Sequence, residues 1–238
     1  MTPDFLFGVT PGDVVYDIET YPNAFTMRLK HRVTGQRWLF EISFRRDDTL
    51  ALCKFLEVLS QQGCRMIGYN NVGFDYPVIH FIYSHRHACV SVTEIYEKAM
   101  AIIGAHGPAK FAHMVWESDW IVDQIDLYKI HHFDNMSKAT SLKVLEFNMG
   151  MDSIEDLPFD VGTVLTSEQV DTLIERVRPK HRKHVVAHEL LAQILDEDLL
   201  DTQHLRLLAG GLKLLALAQI GGEGDDLASV GLLEPFED

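Results

Sequence analysis

Residues 13–20 read DVVYDIET, an apolar run that ends in acids. Valine, tyrosine and isoleucine in an unbroken row predict a buried strand. Side chains alternate along a strand, so Asp17 and Glu19 share one face. Two carboxylates at the end of an apolar strand are costly to bury unless a cation compensates them. The plainer alternative is a strand end whose acids stay in water.

Working outward, residues 23–30 and 36–42 follow at hairpin spacing, with Thr34-Gly35 as turn residues. Asp47 or Asp48 caps a predicted helix that runs to about residue 62, with Leu50, Leu52, Phe55, Leu56 and Leu59 along its apolar face; Gly63 ends it. A short strand is expected at 65–69, a loop at 70–73, and helices at 74–84 and 93–103. Residues 104–108 break the pattern. A strand is expected at 120–128, and helices at 141–148 and from 166 to about 176. Three strands followed by alternating helix and strand predict an α/β fold, a mixed sheet flanked by helices.

Composition divides the chain near residue 176. Of the 23 aromatic residues only Phe236 lies beyond residue 180, and the last 58 residues hold 15 leucines and a Gly- and acid-rich tail. The basic run RVRPKHRK (176–183) stands between the two parts; it reads as an exposed linker or a phosphate contact. The expectation is one domain over residues 10–175 and a Leu-rich helical extension, in part disordered, over 176–238.

The overall balance is globular, with 47% apolar and 24% charged residues. No signal-peptide pattern opens the sequence, and no run of 18 apolar residues predicts a membrane span. Three cysteines without CxxC spacing suggest reduced thiols, hence a cytoplasmic setting. The net charge of −14 argues against broad, sequence-independent phosphate binding. It leaves room for an enzyme that meets DNA through bound cations, since carboxylates hold such ions.

A second motif lies further along. Asn71-x-x-Phe74-Asp75 places Asp75 at the start of a helix that follows a strand. An acid is favoured there by the helix dipole alone. The order is what informs: DxE on a strand, then strand-loop-helix with Asn, an aromatic and Asp, then Ser141-Leu142-Lys143-Val144-Leu145. In this order the chain resembles the DnaQ-like (DEDD) 3′–5′ exonuclease superfamily. The nearest pattern is that of the proofreading domains of family B, phage-type DNA polymerases. Asp17 and Glu19 match the first motif, Asn71 to Asp75 the second, and Ser141 to Leu145 the (S/T)Lx2h element.

The resemblance implies an RNase H-like domain with a two-metal site for Mg²⁺ or Mn²⁺, ligated by the catalytic acids Asp17, Glu19 and Asp75. It implies that Thr20, Asn71, Phe74, Ser141 and Leu142 contact single-stranded DNA or a DNA 3′ end. It also implies a separate DNA polymerase as partner and, for a phage protein, the host cytoplasm. The family's third motif, YxxxD, is absent: no Tyr follows Tyr128. The HxxxxD variant also fails at His184 and His188, and Asp196, Asp198 and Asp201 carry neither pattern. A second ion should therefore bind weakly. A degenerate exonuclease fold that binds DNA or a polymerase without cleavage is the alternative, and a stand-alone RNase on the same fold is another.

Other groups read more plainly. Asp126 sits on the 120–128 strand and reads as a strand-end acid. His85, His87 and Cys89 lack an evident fourth zinc ligand.

Overall fold

The computed structural model describes residues 8–131, 141, 142, 144 and 158–175. Five strands form one mixed sheet in the order β3-β2-β1-β4-β5. β1 (Asp13–Tyr21), β2 (Ala24–His31) and β3 (Arg37–Ser43) pair as an antiparallel meander. β4 (Arg65–Gly68) runs parallel to β1, and β5 (Asp123–Asp126) parallel to β4. The helices are α1 (Thr49–Gln61), α2 (Asp75–Ser84), α3 (Val92–Gly104), α4 (Leu127–His131) and α5 (Ser167–Glu175).

Strand periodicity sorts the side chains into two faces. Val14, Tyr16 and Ile18 of β1, with Phe25, Met27 and Leu29 of β2, point into the main core. Leu52, Phe55, Leu56 and Leu59 of α1 meet them there, as do Val78, Ile79 and Ile82 of α2 and Ile95 and Ala99 of α3. The opposite face is packed in two separate places. Val15, Ile67 and Leu127 form one small cluster beside β4 and β5. Tyr21, Ala24, Leu165, Val170 and Leu173 form the other, beneath α5. On β1 the residues between Val15 and Tyr21 on this face are Asp17 and Glu19.

Local chemistry explains the ends of the elements. The Asp47 side chain accepts the Thr49 N–H at 2.9 Å at the start of α1. Gly63, at φ +65°, closes that helix in the left-handed region. Ser91 and Glu94 form a reciprocal capping box on α3. The strand expected at 120–128 is shorter, Asp123–Asp126, because the Asp126 carboxylate accepts the Tyr128 N–H at 3.0 Å and starts α4. Most of the expected 141–148 helix and all of the 176–238 extension lie outside the described residues. Among the described residues no helix is long and apolar enough to cross a membrane.

Candidate functional site

β4 stays beside β1 for only three residue pairs, ending at Val15–Ile67. Among the described residues β1 then has no strand beside it on that side, and its next inward N–H groups need partners. The backbone of Ile18 supplies a hydrogen bond to the Asp75 carboxyl, which caps the exposed edge from the first residue of α2. This brings the Asp75 carboxyl near enough to Asp17, distant in sequence, to feel its charge. Asp75 is 8% exposed. Burial, then the negative charge of Asp17, holds its carboxyl well above the usual aspartate range, and Asp126 adds to the same trend.

The loop that positions Asp75 is braced from β5. Asp126, buried at the last position of that strand, accepts N–H groups from Asn70 at 2.8 Å and Val72 at 3.3 Å. Burial raises its pKa, while those amides and that of Tyr128 pull the other way. Asn70 takes a left-handed conformation at φ +58°, one that asparagine tolerates better than most residues. A Cβ at Gly73 would come within 2.6 Å of Asn70 Oδ1, so a larger residue there would have to displace the Asn70 side chain.

The expected DNA-contact residues divide. Asn71 is fully buried. One arm of its amide faces the carbonyls of Gly68 and Ile125 at 3.2 and 3.3 Å, so that arm is the N–H donor. Asn71 thus ties the end of β4 to β5 from inside the loop. Phe74 is half-buried and packs on the main core. Thr20 is half-buried and lies opposite Phe25, on the helix-packed face rather than the face of Asp17. Ser141 is exposed and accepts the Val144 N–H at 3.3 Å; Leu142 is half-buried.

One neighbour of the acids has no place in the sequence motifs. Arg28 of β2 is directly opposite Asp17 in the register, and Thr26 is opposite Glu19. Directly opposed antiparallel residues project on the same side, so Arg28 lies among the acids. Burial brings its pKa down to about 10, against the pull of Glu19 and then Asp17. It remains a cation at neutral pH. Neither Asp17 nor Glu19 is without partners.

These donors fit one hard cation better than two. The charge of Asp17 raises the cost of ionising Asp75, the condition a cation relieves. Mg²⁺ is commonly held by one or two carboxylates, with water and phosphate completing the shell. Among the described residues no three His, Cys, Asp or Glu side chains gather as a metal-holding group. That covers Asp17, Glu19 and Asp75 taken as three as well as His85, His87 and Cys89. No protein-family model matches the chain. No curated protein matches its sequence.

Proposed function

We propose that residues 10–175 form an RNase H-like domain that binds DNA 3′ ends and removes nucleotides in the 3′–5′ direction. The observation that carries this reading is the nearness of Asp17 on β1 to the buried Asp75 at the first residue of α2, two acids from separate motifs. When Mg²⁺ or Mn²⁺ is bound, it polarises the phosphate and acidifies a water. Asp17 and Asp75 would hold the ion, with Glu19 beside them on the same face. Asp126 keeps the Asn70–Val72 backbone in place and so sets where Asp75 stands. Phe74 offers an aromatic face for a terminal base.

A second reading, a degenerate exonuclease fold that binds DNA without cutting it, is favoured by Arg28. Its guanidinium supplies positive charge beside Asp17 and Glu19 without any metal. A time course on 5′-labelled single-stranded DNA and RNA separates the readings. The enzyme reading expects stepwise shortening from the 3′ end, faster in Mn²⁺ than in Mg²⁺ and slower than roughly 1 per second, and abolished by Asp17→Ala. Binding without shortening in either metal supports the degenerate fold.

A further inference from the structure

α5 covers the acid-bearing face of the sheet with little apolar contact. Its anchors are Tyr21 and Ala24 against Leu165, Val170 and Leu173. Phe159 and Ile174 pack against these, and polar contacts complete the seat. Asn23 clamps Leu165, donating to its carbonyl and accepting its N–H, both at 2.8 Å. Arg45 reaches Asp171 at 2.8 Å and donates to the Ser167 carbonyl at 3.1 Å. At the far end, Arg28 Nη2 donates to the carbonyl of Leu173, in the last turn of the helix. The residue that faces Asp17 across the hairpin therefore also holds α5.

Arg28 is incompletely satisfied in this position. Its Nε is buried and has no hydrogen-bond partner among the described residues, and the same is true of Thr26 Oγ1, opposite Glu19. A buried donor left unmade is costly. The guanidinium thus stays because two carboxylates attract it, not because its five donors are met. A divalent cation on the same carboxylates removes that attraction and adds repulsion.

We infer that Arg28 is a built-in counter-ion of Asp17 and Glu19, that a divalent cation competes with it, and that cation binding therefore loosens the last turn of α5 through the Leu173 carbonyl. The inference rests on the cation site proposed above, and not on DNA cleavage. Arg28 is a positioning residue: it sets the affinity of the site and the seating of the helix. By linkage, whatever unseats α5 also strengthens cation binding.

The test is Mn²⁺ titration of the 238-residue chain, followed by electron paramagnetic resonance, for wild type, Arg28→Met, Arg28→Lys and Asp17→Ala. Arg28→Met should bind Mn²⁺ about tenfold more tightly or better. Arg28→Lys, which keeps the charge, should stay within about threefold of wild type. Loss of packing alone would not tighten binding. Equal affinity of wild type and Arg28→Met, with binding lost in Asp17→Ala, overturns this inference and leaves the cation site standing. No Mn²⁺ binding by any of them overturns both. Tighter binding by Arg28→Met without DNA cleavage sustains the inference and removes the nuclease reading. Should Arg28→Met fail to fold, amide exchange in wild type decides: saturating Mn²⁺ should speed exchange over residues 170–175, and unchanged exchange overturns the coupling.

Discussion

The carboxyl of Asp75 takes a hydrogen bond from the backbone of Ile18, the residue that follows Asp17 on β1. One contact thereby closes the strand edge that β4 abandons and brings two acids together. The arrangement stores electrostatic cost in the metal-free protein, because Asp75 is buried next to a like charge.

That cost gives a pH signature. Asp75 has a folded pKa raised above its unfolded value, so its favourable contribution is complete below the ordinary aspartate range and is lost as pH rises through the folded value. Asp75→Asn keeps an acceptor for Ile18 and removes the charge. It should raise the melting temperature at neutral pH, with the gain vanishing below about pH 4. Thermal melts of both proteins across pH, without divalent ions, check this. An Asp75→Asn protein less stable at pH 7 would mean that the charge is already compensated.

Asn71→Ala should act on folding rather than on ligand contact. The side chain is buried and its amide serves the carbonyls of Gly68 and Ile125. Leaving buried carbonyls unmet costs about 1–3 kcal/mol. Urea denaturation should show a loss of that size. A fully stable variant with weakened DNA binding would restore Asn71 as a ligand contact.

Asp126→Ala removes the acceptor of the Asn70, Val72 and Tyr128 amides together. Each charge-assisted bond is worth more than a neutral one. The expected loss is about 2–4 kcal/mol, with amide exchange over 69–76 quickened more than in β2 or β3. Uniform quickening across the sheet would mean that Asp126 is not a local brace.

Much of the fold was legible because its signals are local. The apolar run at 13–20, the leucines of α1 and the Gly63 stop each declare themselves within a few residues. The pairing of Asp17 with Asp75 was legible only through motif order. Arg28 was not, because its position depends on the turn. Beginning the second strand at Asn23 places another residue opposite Asp17. The observed turn leaves Tyr21 opposite Ala24, and Arg28 falls opposite Asp17. Register in a hairpin follows turn geometry, and a two-residue difference changes every partner. Asn71 shows another limit: a motif shows that an asparagine belongs in the loop, and only the packing shows that its side chain is buried.

We propose that Asp17 and Asp75 share one divalent cation. Crystals of the protein soaked in Mn²⁺ and measured at the manganese absorption edge test it most directly. The account predicts one strong anomalous peak within coordination distance of carboxylate oxygens from both Asp17 and Asp75, and displacement of the Arg28 guanidinium from the acids. No peak at these acids, or a peak bound elsewhere with Arg28 still among them, contradicts it.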